Sequence, residues 1–314
     1  MHETASNTRI IDWLLTHSGS VDGKEQASLA DFSELFEAAA AGWDAPADRA
    51  VIGGFTADRT AYAFAAGYEC ALRRLVPSLP PRAIVSFCVT EEGGGHPASI
   101  RSTLRKDPPA ARWSLSGSKK FITLADAAEY ILAAASTGTA PDGKNMIRMA
   151  LVARSAPGIR IAPMAGLPFI PEIHHGTVTF DEVPVEDADI LPGDGYRDYI
   201  RPFRTIEDLH VFAAIGGHLF RIACRYRWPA SIKEGILSML VCVRALAADD
   251  PSAPAVHIAL GGLHARIIAL LGEIEPHWES VDGTVRERWN RDKALLDIAG
   301  TARKKRLERA WSRY

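Results

Sequence analysis

The chain has 314 residues, of which 47% are hydrophobic and 24% charged, with a formal net charge of −2. That length is enough for a large core and more than one layer or domain. The near-neutral charge gives no electrostatic pull toward nucleic acid or an anionic membrane surface. Four cysteines, Cys70, Cys88, Cys224 and Cys242, lie far apart in apolar stretches and form no Cys-x-x-Cys pair. They read as buried free thiols in a reducing, cytoplasmic setting. The N-terminus carries Glu3, Arg9 and Asp12 and no apolar signal core. No apolar run approaches the roughly 18 residues of a membrane span.

Residues 1–81 read as an N-terminal helical domain. Phe32, Leu35, Phe36 and Ala39 recur at helical spacing, and Gly42 follows as a stop. A second helical pattern runs from Thr56 to Val76, and Pro77, Pro80 and Pro81 end it. Residues 82–195 change period. Candidate strands are Ile84–Thr90, Arg112–Leu115, Lys119–Thr123, Glu129–Ala135, Met146–Ala153, Gly158–Ala162 and Thr177–Phe180. Pro108-Pro109, Gly117, Pro141-Asp142-Gly143 and Pro157-Gly158 separate many of them. Short strands at close spacing predict a barrel or sandwich rather than a parallel sheet. Residues 196–314 return to helix. Leu209, Phe212, Ala213 and Gly216 share a face, Pro229 breaks the chain, and Ser231 caps the next helix, to Ala248. Ile267, Leu270, Leu271 and Ile274 mark a third helix that Pro276 ends, and a fourth runs from Gly283 to the C-terminus. The expected class is α+β: N-terminal helices, a central β-barrel-like domain and a C-terminal antiparallel helical bundle.

The segment Phe87-Cys88-Val89-Thr90-Glu91-Glu92-Gly93-Gly94-Gly95-His96 resembles the first flavin segment of the acyl-CoA dehydrogenase family, whose pattern is T-E-P-x-A-G-S after an apolar lead. Trp113 to Thr123 resembles its second segment, L-x-G-x-K-x-W-I-T. Gly176 to Val185 is similar to its F-x-x-V-x-V-P strand, and Pro192 to Tyr196 to its glycine-rich entry into the first C-terminal helix. The resemblance implies a truncated acyl-CoA dehydrogenase-like fold and FAD as cofactor. It further implies an acyl-CoA or other acyl thioester as substrate and a homodimer or higher oligomer.

The residues themselves suit a flavin. Gly93, Gly94 and Gly95 let backbone N–H groups approach phosphate. Thr90 and Thr123 offer hydroxyls to a ring's polar edge, and Phe121 is an apolar plate for stacking. The candidate cofactor contacts are Phe87, Val89, Thr90, Gly94, Gly95 and His96 from the first segment and Phe121, Ile122 and Thr123 from the second. The competing reading makes the glycines a hairpin loop and Phe121 a core residue. Glu92, His96 and Phe121 depart from the family's proline, serine and tryptophan. His96 suits either a pyrophosphate or thioester contact or a solvated loop.

In that family a glutamate removes the substrate α-proton while the β-hydride passes to flavin N5. Most members carry it in Y-E-G-T near the C-terminus; a minority place it in the first C-terminal helix. Matching Gly216-Gly217 to the minority's small pair puts His210 at the position of the base, with Glu207 nearly one turn earlier. A histidine titrating near neutrality suits the role; the competing reading makes His210 a helix residue hydrogen-bonded at a domain seam. Arg291-Asp292 and Ile298-Ala299-Gly300-Thr301 look like the usual C-terminal motif without its glutamate. One uninterrupted helix over Asp292–Trp311 is the favoured reading of that stretch. The family's R-x-x-F-G interface motif is absent after Gly217. Arg303-Lys304-Lys305-Arg306 reads as a solvated basic face, with phosphate contact as the alternative. His174-His175 has no metal spacing and reads as loop or strand edge. Three functions remain open: α,β-dehydrogenation of an acyl thioester, a degenerate flavin- or acyl-binding homologue without turnover, and an oxidase or monooxygenase on the same fold.

Overall fold

The computed structural model describes residues 9–20, 25–107, 112–298 and 300–314. Glu3, the turn expected at Pro108-Pro109, and Ala299 lie outside the described residues. The chain divides into two compact units. A helical unit gathers Met1–Arg74, Pro168–Glu172 and Thr205–Tyr314, and a β unit holds Leu75–Leu167 and Ile173–Arg204. The first and last stretches, read from sequence as separate domains, therefore share one unit.

Nine helices are described: α1 (Arg9–His17), α2 (Leu29–Ala39), α3 (Pro46–Thr56), α4 (Thr60–Leu75), α5 (Arg201–Arg225), α6 (Ala230–Ala248), α7 (Pro254–Ile274), α8 (Gly283–Asp292) and α9 (Gly300–Trp311). Ser28 caps α2 by accepting the Asp31 N–H at 3.1 Å. Phe32 and Phe36 face the core, whereas Leu35 is exposed. The pattern from Thr56 to Val76 is not one helix, because α3 ends at Thr56 and α4 begins at Thr60. Tertiary partners hold that break open. Arg221 donates to Phe55 O at 3.2 Å and Thr56 O at 3.0 Å, and the His218 ring donates to Ala57 O at 3.1 Å. These bonds satisfy carbonyls that a continuing helix would have used itself.

Glycines let α5 lie against α3. A Cβ at Gly54 would fall 1.7 Å from Ala214 O, and one at Gly217 would fall 2.2 Å from Val51 O. Helix α6 begins with Pro229 at its cap and no side-chain bond there, so Ser231 is not the cap. Helix α7 with the short turn after it, Pro254–Ser280, is long and apolar enough to cross a membrane by length and composition, a run the sequence reading did not register. Its buried face of Val256, Leu260, Leu263, Ile267, Leu270 and Ile274 packs with α6 and α9. The helix expected over Asp292–Trp311 is interrupted by a 3₁₀ turn, Lys293–Asp297. Asp292 is fully buried and accepts the Ile170 N–H at 2.7 Å, a tertiary bond that overrides the helix-forming tendency of the residues after it.

The β unit contains β1 (Val85–Cys88), β2 (Thr103–Asp107), β3 (Arg112–Thr123), β4 (Tyr130–Thr139), β5 (Asn145–Ala153), β6 (Ile159–Pro163) and β7 (His175–Glu186). They form one seven-stranded sheet in the order β1-β4-β2-β3-β7-β6, with β5 on β4. Among the described residues, only β1·β4 and β2·β4 pair in parallel. The two strands expected around Gly117 are one strand, β3, kinked where Gly117 takes φ +141. Strand β1 and the residues just after it also meet β3: Ser86 Oγ donates to Thr123 O at 2.7 Å, and Lys120 N–H to Thr90 O at 2.8 Å. The sheet is thereby curled around a core that includes Cys88, Leu104, Leu115, Ile131, Val178 and Phe180. All four cysteines are free. Cys70 and Cys88 are buried as expected, but Cys224 is only half-buried and Cys242 is exposed on the outer face of α6.

Candidate functional site

The two segments singled out in the sequence lie side by side in the β unit, joined by a buried ion pair. Lys119 has no exposed surface, and its Nζ donates to Glu91 Oε1 at 2.7 Å and Val89 O at 3.3 Å. Glu91 also accepts from Ser102 N at 3.0 Å, Ser102 Oγ at 2.8 Å and Arg101 N at 2.8 Å. Burial alone would raise the Glu91 carboxyl, but the Lys119 ammonium and these N–H donors outweigh it and hold its pKa below the usual value. Neither residue was picked from sequence. The signal was a lysine between the apolar positions Leu115 and Ile122 of one strand, with a glutamate directly after Thr90.

Phe121 is not a core residue. The register of β3 against β7 shifts between Lys119 and Ile122, turning Ile122 inward and Phe121 outward. The ring is 57% exposed, and the backbone takes φ +58, left-handed and costly for a bulky residue. Its N–H donates to Met164 Sδ at 3.3 Å. An exposed aromatic ring offers a flat apolar face on which another ring can stack. Phe87 is half-buried with its ring 4.4 Å from that of Phe203, and Val89 is buried. Thr90 and Thr123 are both half-buried.

Thr123 pairs directly with His175 across β3 and β7, with Oγ1 3.3 Å from Nε2. His175 Nδ1 lies 3.1 Å from Ile173 O, and His175 O accepts the Met164 N–H at 2.9 Å. Burial, with a smaller contribution from His174, lowers the His175 pKa despite the Ile173 carbonyl. Met164 and His175 thus complete a polar and apolar rim around Phe121 and Thr123. The sequence reading passed over Met164 and took His175 for a strand edge, which it also is.

The glycine loop differs from expectation. Gly94 N–H donates to Glu91 O at 2.9 Å and Gly94 O accepts from Glu91 N at 3.2 Å, so this N–H is engaged in a tight turn rather than offered to phosphate. Gly94 takes φ +95, which explains its identity. A Cβ at Gly95 would sit 3.6 Å from Val89, in ordinary contact. His96 is exposed, and its Nδ1 accepts the Ala98 N–H at 3.3 Å, capping the short turn Pro97–Ser99. The donor set therefore fits the ring of a flavin better than its phosphates: a bare aromatic plate, two hydroxyls and an adaptable thioether.

The candidate base residues belong to the helical unit. His210 is 1% exposed with Nδ1 2.8 Å from Ile206 O and no partner at Nε2. Desolvation pushes its pKa down to about 4, away from the neutral titration expected of it. Glu207 is only half-buried. Asp208 binds Arg303 at 2.9 Å and Arg306 at 2.8 Å, so two members of the basic run are part of a buried ion network rather than a solvated face. Arg291 and Asp292 hold the segment Pro168–Glu172, through Glu172 at 3.0 Å and the Ile170 N–H. Their resemblance to a catalytic motif thus coincides with a structural duty.

Residues 86–183 match the family model described as acyl-CoA dehydrogenase, middle domain. No curated protein matches the chain in sequence. Among solved structures, a butyryl-CoA dehydrogenase from Megasphaera elsdenii aligns over 99% of both chains at 15% identity and a TM-score of 0.72. The prolyl acyl carrier protein oxidase AnaB aligns over 98% of both chains at 14% identity and a TM-score of 0.68. A glutaryl-CoA dehydrogenase from Mycobacterium smegmatis aligns over 99% of this chain and 95% of its own at 14% identity, with a TM-score of 0.63.

Proposed function

Starting from a chain that has the acyl-CoA dehydrogenase fold and matches that family's middle domain over residues 86–183, we propose that the protein is a FAD-dependent oxidoreductase that desaturates the α,β-bond of an acyl thioester. The observation that carries this reading is Phe121, an exposed ring in a strained backbone, flanked by Thr123. Phe121, Thr123, Thr90 and Phe87 are the ring-facing part of the proposed cofactor-binding set, with the ring against Phe121, and Val89, Gly94, Gly95, His96 and Ile122 shape the backbone around it. Bound FAD supplies the acceptor for the β-hydride.

Glu207 and His210 remain the residues for the α-proton. Of the two, Glu207 is the accessible one, and His210 is a buried neutral neighbour nearly one turn along α5. The thioester α-proton leaves only if its carbonyl is polarised by hydrogen bonds in the site. Free thiols suit a cytoplasmic protein. A homodimer or higher oligomer is supported by Val241 and Ile268, large apolar side chains that α6 and α7 leave exposed.

The likeness to an oxidase supports a second reading, in which molecular oxygen reoxidises the cofactor. The absence of a glutamate before Gly300 supports a third, a binding homologue without turnover. Purification followed by a visible spectrum tests the flavin: absorbance near 450 nm, about the oxidised isoalloxazine band, is the expected result. Anaerobic addition of acyl-CoA then bleaches a dehydrogenase, aerobic addition yields peroxide from an oxidase, and neither occurs in a binding homologue. Protein that neither retains FAD nor binds it on titration overturns the reading.

A further inference from the structure

We propose that His175 is a positioning residue that fixes the Thr123 hydroxyl as an outward-facing hydrogen-bond acceptor, so that the ligand group meeting it must be an N–H donor. The tautomer follows from the geometry. Ile173 O can only accept, and it lies 3.1 Å from His175 Nδ1, so Nδ1 carries the ring proton. The ring is neutral, in keeping with its lowered pKa, and Nε2 is then a bare lone pair. Thr123 Oγ1 is 3.3 Å from that nitrogen and its single hydrogen points to it. Only lone pairs remain on the other side of the oxygen.

The arrangement is held from several directions. Thr123 and His175 are register partners on adjacent strands. Thr123 O is engaged by Ser86 Oγ at 2.7 Å, and His175 O by the Met164 N–H at 2.9 Å. Met164 in turn accepts the Phe121 N–H, so the acceptor and the stacking plate belong to one connected set. A ligand that stacks on Phe121 and meets Thr123 through a carbonyl oxygen or an unprotonated nitrogen leaves two acceptors facing each other. One that brings an N–H makes a bond. An isoalloxazine ring has such a donor at N3 in both redox states and at N5 only when reduced.

The identity of the ligand rests on the flavin reading above, whereas the tautomer is a property of the protein without ligand. The two are therefore tested apart. In the ligand-free protein, nitrogen-15 NMR of the histidine side chains is expected to show His175 protonated at Nδ1 and bare at Nε2; a ring protonated at Nε2 overturns the proposal. With FAD, His175→Leu frees the Thr123 hydroxyl to rotate. The expected result is a three- to tenfold loss in affinity for oxidised FAD, or a fall in midpoint potential of up to about 30 mV, the equivalent of tenfold for a two-electron couple. The same change made on a Thr123→Val background is expected to add nothing. Equal effects on both backgrounds, or neither quantity moving, overturn the proposal. Failure of the protein to take up FAD removes the flavin reading and leaves the tautomer to be decided by the NMR measurement.

Discussion

Glu91 and Lys119 meet at 2.7 Å in a place where the lysine has no contact with solvent. One comes from the loop after β1 and the other from the middle of β3, so this buried ion pair fastens together the two segments proposed to face the cofactor. Breaking such a pair by removing one member strands the other charge in a poor solvent. Lys119→Met is expected to destabilise the protein by about 3–5 kcal/mol in chemical denaturation. The double change Glu91→Gln with Lys119→Met recovers part of that loss. Burial lowers the Lys119 pKa despite the carboxylate beside it, so the acid sensitivity of the pair comes from its Glu91 side. Because the Glu91 pKa lies below its unfolded value, the contribution is present above the usual carboxylate range and is lost as pH falls through the lowered pKa.

Two buried histidines impose a second acid sensitivity at higher pH. Burial lowers both His210 and His218 to about 4. Between pH 6.5 and 4 the unfolded chain binds more protons than the folded one, so stability falls as pH falls across that window. Each histidine contributes a loss of roughly 3 kcal/mol by its lower end. His210→Phe is expected to remove its share of the slope in denaturation profiles, and an unchanged slope would show that the ring is not buried neutral.

Phe121 separates folding from binding. Its ring is largely exposed, so Phe121→Ala is expected to change stability by no more than about 0.5 kcal/mol. Flavin retention is expected to fall by about 1 kcal/mol, roughly fivefold, because the stacking surface is gone. A large loss of stability with retention intact would make the ring structural.

Thr123→Val keeps the shape of the side chain and removes its hydroxyl. Retention of FAD is expected to weaken by about 1–2 kcal/mol, a factor of roughly 5–30 measured by titration. Gly94→Val acts differently. Space around Gly94 is open, but φ +95 suits glycine, so the variant is expected to cost about 1–2 kcal/mol of stability through its turn. Loosening of the Glu91 turn would follow.

Association is read by light scattering at micromolar concentration, where a species of two or more chains is expected. Gly261 packs inside the helical unit. A Cβ there would fall 2.9 Å from Leu307 of α9, so it serves packing within the chain, while Gly262 faces open space. A monomer at that concentration would remove the oligomer from the proposed function.

What sequence could and could not disclose follows from where the information resides. Period-two alternation identified most of the strands because their inward positions are apolar. It missed β2, where Leu104 is the only large apolar side chain in Thr-Leu-Arg-Lys-Asp. Helix propensity carried the reading straight through Lys293–Asp297, because the bond from Asp292 to Ile170 joins residues far apart in the chain. The same distance hid Glu91 from Lys119 and Thr123 from His175. Phe121 was legible as an aromatic at a motif position, but the bulge that turns it outward depends on pairing with β7. His210 was legible as a candidate base, whereas its depressed basicity arises from burial.

The close approach of Gly54 to Ala214 and of Gly217 to Val51 has a consequence for the order of synthesis. Helices α1 to α4 emerge from a ribosome before any of α5 exists, and all of residues 76–200 are made in between. The apolar faces of α3 and α4 are therefore without their partner throughout that interval. The β unit, whose two stretches end at Arg204, can close first. A nascent chain whose residue Arg204 has just cleared the ribosome could carry a formed sheet and an incomplete helical layer. At that stage the uncovered apolar faces of α3 and α4 are the surface most open to aggregation.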